Sequence, residues 1–298
     1  MALNCFSSMQ RERDEGFVNP LLIALIVVLA AVLPSCNIAE RLKDSDPKSL
    51  KYSEMNDTER VEYIKMKSVP LAKSLGNKEP GNPSEESALR IKRFVDAYLE
   101  RDEGKKNDSK DCAPGGDILS IYERASQNAP TINRVFREEG ASPEIGLYLA
   151  MLASEHCVCY RSERGPVGIF QLSRVFARSN RLTTSRDPNL NDERCDTERA
   201  SYAVTRFLKS EAEKHPADSL KELKLIMVFH IGPGSFRKHV AARGDEVTGF
   251  WKLVSMKPNT DRRWTAKIAD LLPRFFAAAI IGENPADFGI QIEPLSTY

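Results

Sequence analysis

Residues 142–172 read SPEIGLYLAMLASEHCVCYRSERGPVGIFQL, and the rest of the chain makes sense as support for them. Ser142-Pro143-Glu144 is a helix start: a capping hydroxyl, a proline at the first turn and an acid facing the positive end of the helix dipole. The helix that follows is apolar nearly all round (Ile145, Leu147, Leu149, Met151, Leu152), which predicts a buried core helix. At its far end that apolar run delivers a single carboxylate, Glu155. A carboxyl group that loses hydration at the end of a buried helix becomes a usable proton donor near neutral pH. The alternative is that Glu155 emerges into solvent as the helix ends.

Two turns extend the pattern. Gly165-Pro166-Val167-Gly168-Ile169-Phe170-Gln171 carries two glycines, an apolar pair and an amide. Glycines suit a backbone that approaches something closely, and an amide suits a sugar hydroxyl or N-acetyl group. Farther on, Val228-Phe229-His230-Ile231-Gly232-Pro233-Gly234 ends another apolar helix in a Gly-Pro-Gly turn.

In order and separation these pieces resemble the soluble lytic transglycosylase domain. That family has an apolar helix ending in Glu-Ser, a Gly-x-x-Gly-Leu-Met-Gln turn and a later Ala-Tyr-Asn-x-Gly. The run Leu271-Leu272-Pro273-Arg274-Phe275-Phe276-Ala277-Ala278-Ala279, with Asn284-Pro285 and Phe288-Gly289, is similar to the tail of the membrane-bound lytic murein transglycosylase D subgroup. The resemblance covers roughly residues 116–290. It implies a mainly helical, all-α, lysozyme-like fold, peptidoglycan glycan strands as partner, and no cofactor or metal. It implies cleavage of the bond between N-acetylmuramic acid and N-acetylglucosamine by one carboxyl group, Glu155, acting as acid and then base, with the muramyl C6 hydroxyl closing a 1,6-anhydro ring. A general acid–base group of this kind contributes about 10²–10⁴-fold.

Departures from the family pattern qualify the roles. His156 follows the acid where Ser is usual, and Phe229-His230 stands in place of Tyr-Asn. Gln171, His230, Phe229 and Gly168 are expected to form the substrate-binding groove, Gly168 through its backbone shape, and Ile169 and Phe170 are expected to be floor and core. His230 reads equally as a helix-end histidine complementing the dipole. Glycosidases usually pair two carboxylates. The nearest others, Glu163 and Asp192, read as solvated loop acids. A hydrolytic lysozyme at the same site, or an inactive glycan-binding envelope protein, are the competing functions.

Composition sets the frame. The chain has 298 residues, 41% hydrophobic and 29% charged, which is ordinary for a folded protein. A net charge of +1 argues for no nucleic-acid surface. Leu21–Leu33 is an uncharged apolar run of 13 residues, short of the ~20 that span a bilayer and suited to a signal peptide. Leu33-Pro34-Ser35-Cys36 resembles the lipoprotein cleavage box, with Cys36 the lipidated residue and membrane anchor. An uncleaved short anchor and ordinary secretion are the alternatives, and all three place the remainder outside the cytoplasm, on the periplasmic face of a bacterial envelope.

The chain thus divides into a leader (1–36), a flexible tether (37–84), a helix and loop (85–115), a catalytic domain (116–290) and a tail (291–298). Ser84–Arg101 carries Leu89, Ile91, Phe94, Val95 and Tyr98 near helical spacing. Helices are expected over Asp117–Gln127, Thr131–Glu139, 142–155, Asn191–Lys209, Ser219–Phe229, Phe236–Ala242, Asp245–Met256 and Arg262–Gly282. A small β-hairpin fits within 156–168. Setting aside Cys5 and Cys36, four cysteines remain: Cys112, Cys157, Cys159 and Cys195. Outside the cytoplasm an even number suggests two disulfides. Cys157 and Cys159 point to opposite sides of an extended segment, so one pairs with Cys195 and the other with Cys112, in either arrangement. A zinc site using these cysteines with His156 and His230 is the competing reading.

Overall fold

The computed structural model describes residues 51–101, 112–187, 190–214, 218–257 and 262–298. The expected leader, Cys36, the first part of the tether and the polar loop before Cys112 lie outside these residues. The described residues belong to one unit, Leu50–Tyr298.

The unit is built of helices: α1 (Asp57–Ser74), α2 (Glu85–Leu99), α3 (Ile118–Glu138), α4 (Pro143–Ser154), α5 (Arg174–Ser179), α6 (Thr197–Ala212), α7 (Lys221–Ile231), α8 (Pro233–His239), α9 (Phe250–Val254) and α10 (Arg262–Glu283). The mainly helical class expected from the sequence is observed. The hairpin expected in 156–168 is reduced to two isolated bridges, Arg161 with Val167 and Val167 with Leu172.

Two helices form the centre. In α4 every residue from Ile145 to Leu152 is buried. In α10 an apolar stretch from Phe275 to Ile281 is equally enclosed, and the helix packs against α1, α2, α4 and α7. Helices apolar on all sides need neighbours on all sides, and these two have them. Ser142 caps α4 by position only, because its hydroxyl bonds the Glu144 carboxylate at 2.6 Å instead of a backbone amide.

α1 corrects the expected tether, because it packs its apolar stripe into the core. Val61, Ile64, Leu71 and Leu75 are buried at spacings of three, four and seven, one helical stripe within a polar composition. Tyr63 donates to Asp287 at 2.7 Å and Lys67 pairs with the same carboxylate at 3.1 Å, pinning α1 to the turn after α10. The tail at 291–298 is likewise part of the body. Leu295 is fully buried, and Asn133 donates to the carbonyls of Leu295 and Tyr298. The two short helices expected over 117–139 are one, α3, which runs through Pro130.

Candidate functional site

The apolar helix α4 ends where glutamate begins. Glu155 occupies the C-cap with φ 51° and ψ 43°, and His156 follows at φ 63°. Two successive non-glycine residues in the left-handed region are uncommon, and such strain gathers where the fold fixes a side chain's direction. The consequence is visible at the carboxylate, whose side chain is only 14% exposed. Arg101, just beyond α2, donates to Oε1 at 2.6 Å, and the Gly115 amide donates to Oε2 at 2.6 Å. Arg124 of α3 reaches the Glu155 carbonyl at 3.3 Å and the Gly115 carbonyl at 3.3 Å. Both carboxylate oxygens are therefore occupied by partners the sequence reading left outside the site.

Tyr98 completes that corner. The Arg101 guanidinium lies 4.6 Å from its ring centroid, a cation–π contact. Burial and the Glu155 charge push the Tyr98 phenol up to about 12.

The glycine turn is fixed next to Glu155. The Ser154 hydroxyl donates to the Ile169 carbonyl at 2.7 Å, so the end of α4 and the turn are joined one residue from the acid. Gly168 has φ +89°, and a Cβ there would stand 1.8 Å from the Arg194 carbonyl oxygen, so a side chain is excluded. Gln171 also adopts a positive φ, and its amide nitrogen donates to the carbonyls of Tyr160 and Gly168, at 2.9 and 2.8 Å. Its N–H groups thus hold the turn together.

Arg194 braces this turn from beneath. Fully buried, it pairs with Asp192 at 2.7 Å and donates to the Leu172 carbonyl at 3.1 Å. Asp192 is consequently no solvated loop acid, as expected from its position, but one half of an enclosed ion pair. The Arg194 guanidinium holds its carboxyl below the usual range against the effect of burial. Glu163 is exposed, as expected.

The third piece arrives through aromatic packing. Phe229, near the end of α7, meets Phe170 with centroids 6.5 Å apart, Phe176 at 5.8 Å and Phe207 at 6.1 Å, all edge to face. The 165–171 turn therefore touches the end of α7, the helix that leads into the turn at 232. Ile169 and Phe170 are core, as expected, and Phe229 is half-buried wall. His230 is exposed at the end of α7. Loss of solvent around the ring, with the charges of Arg274 and Lys267, pushes its imidazole down. His156 is different: it is buried, neither ring nitrogen makes a hydrogen bond of good geometry, and burial pushes it down to about 3.

The four cysteines form disulfides, Cys112 with Cys157 and Cys159 with Cys195, which decides between the two arrangements the sequence left open. They are not available to a zinc ion. The first bridge sits three residues from Gly115 and ties that segment beside Glu155. The second follows Arg194 and anchors the glycine turn. Arg101 and Gly115 are the site residues that sequence reading missed. Tyr98-x-x-Arg101 at the end of an amphipathic helix was the available signal, but nothing in it specified which carboxylate it would meet.

No protein-family model matches the chain, and no curated protein matches it either.

Proposed function

We propose that the chain is a peptidoglycan lytic transglycosylase with a lysozyme-like arrangement, in which Glu155 is the acid and then the base. The observation that carries this reading is the chain of contacts that links three separated segments beside the helix end bearing one enclosed carboxylate. Glu155 ends a buried helix, the 165–171 turn is hydrogen-bonded to the preceding residue, and Phe229 of the third segment packs on that turn.

With Arg101 displaced by the substrate, Glu155 takes a proton from solvent and gives it to the oxygen bridging the two sugars as the C1–O bond breaks. The muramyl C6 hydroxyl then closes on C1, and its proton passes to Glu155, so the carboxyl is restored and no water is consumed. Because Arg101 and Gly115 hold both oxygens, substrate entry has to displace at least one of them. A neutral His230, exposed at the end of α7, would offer one donor and one acceptor to a sugar. The two disulfides suit an oxidising compartment outside the cytoplasm, with Cys36 as the proposed lipid anchor.

A second reading has its own support. With both carboxylate oxygens engaged and no hydroxyl on Phe229, the cleft suits a protein that binds glycan without cutting it. Sacculi incubated with the protein and then treated with borohydride separate the possibilities. New ends that resist reduction mean transglycosylase, reducible ends mean hydrolase, and binding without new ends means the inactive form.

A further inference from the structure

Between Leu172 and Asn191 the chain carries Arg174, Arg178, Arg181 and Arg186 against one carboxylate, Asp187. The fold gathers these charges on one face. Leu182 donates its amide to the Ala177 carbonyl at 2.9 Å, and Arg174 reaches the Ser185 carbonyl at 3.3 Å, so the segment after α5 folds back along that helix. Arg206 of α6 joins them by donating to the Asn180 carbonyl at 2.7 Å. Arg178, Arg181, Arg186 and Arg206 are exposed. Arg174 is held below its usual range by loss of solvent and by the like charges of Arg186, Arg194 and Arg178.

The face is seated firmly, not a solvated loop. On the inner side of α5, Ala177 is buried and Phe176 packs edge to face on Phe207 and Phe229. On its outer side Val175 is 77% exposed, the highest value among the large apolar side chains described. A valine held outward beside exposed guanidinium groups is a poor arrangement in water. It is a good one at a boundary where phosphates lie above hydrocarbon. Guanidinium forks match phosphate oxygens, and an apolar side chain between them enters the interfacial layer. A soluble polyanion would engage the arginines and leave Val175 without a partner.

We propose that this face, formed by α5, the segment after it and Arg206, docks on an anionic phospholipid bilayer, with the guanidinium groups on headgroup phosphates and Val175 in the interface. The inference stands apart from glycan cleavage and holds whatever the cleft does. Because Phe176 and Phe229 are in contact, docking sets the candidate cleft close to the membrane surface.

The test places an environment-sensitive fluorophore on Val175→Cys in the full chain, with Cys5→Ser and Cys36→Ser so that only that thiol reacts. Vesicles rich in phosphatidylglycerol are expected to shift its emission to the blue. Phosphatidylcholine vesicles or high salt are expected to abolish the shift. Arg178→Glu with Arg186→Glu is expected to weaken it about tenfold, and the neutral pair Arg178→Gln with Arg186→Gln less; a circular dichroism spectrum matching the parent checks that each is folded. No shift on anionic vesicles at low salt would overturn the proposal. An equal shift on neutral vesicles, an undiminished shift in the charge-reversed protein, or a shift produced only by peptide-bearing sacculi would do the same.

Discussion

The Arg101 Nη1 nitrogen lies 2.6 Å from the Glu155 Oε1 oxygen, joining the end of α2 to the end of α4 across 54 residues of sequence. The segment before residue 116 is therefore part of the site and not a support leaning against it. Replacing Arg101 by Ala leaves a largely enclosed carboxylate with the Gly115 amide alone. The expected cost is about 1–3 kcal/mol of stability, read from the urea midpoint. Arg101→Lys should lose less, since a single charged donor is retained. Neither variant should abolish glycan cleavage as Glu155→Gln would.

Gly168 and Gly165 offer a controlled comparison within one turn. Both have positive φ, but only Gly168 faces a backbone oxygen where a Cβ would sit, while nothing lies within 4 Å of Gly165. Gly165→Ala should cost about 1 kcal/mol from backbone conformation alone. Gly168→Ala should cost more than about 3 kcal/mol, because the Arg194 carbonyl is locked by its own ion pair and disulfide neighbour. Thermal unfolding of the two variants side by side checks the difference.

His156 makes stability depend on pH in a definite direction. Its folded-state value of about 3 lies below the ordinary 6.5, so the unfolded chain binds a proton that the folded one does not. Stability from this group is full above pH 6.5 and is lost as pH falls from there towards 3, with a slope on the order of 1.4 kcal/mol per pH unit. His156→Leu should flatten that slope in urea titrations run between pH 4 and pH 7, as a limiting estimate from the same linkage.

The disulfides should have separable consequences. Opening Cys112–Cys157 frees the segment carrying Gly115, so Cys112→Ser should lower both stability, by about 2–4 kcal/mol, and glycan cleavage. Opening Cys159–Cys195 loosens the Arg194 brace, and Cys159→Ser should act on substrate affinity through the glycine turn. Separate kcat and KM measurements on soluble glycan distinguish the two.

Much of this architecture was legible in the chain. The run from Ile145 to Leu152 has no polar face, and it became a helix with no exposed side. The glycine turn and the end of α7 were each recognisable, and the Phe170–Phe229 contact brings them together. Three features were hidden. The buried stripe of α1 was masked by lysines and glutamates on its other faces, so composition suggested a tether. Asp192 looked like a loop acid because its partner, Arg194, is two residues away, and the burial of both comes from segments distant in sequence. The Arg101–Glu155 pair depends on how α2 is laid against α10, and periodicity within one helix carries no information about its neighbour's end.

The most direct test is mass spectrometry of the muropeptides released from purified sacculi by the wild-type protein and by Glu155→Gln, each checked for folding by circular dichroism. The account predicts products ending in 1,6-anhydro-N-acetylmuramic acid from the wild type, and at least a hundredfold less from the variant, on the order expected for losing a general acid–base group. Equal release by the folded variant would contradict the assignment of Glu155, and release of reducing ends alone would contradict the ring-closing chemistry.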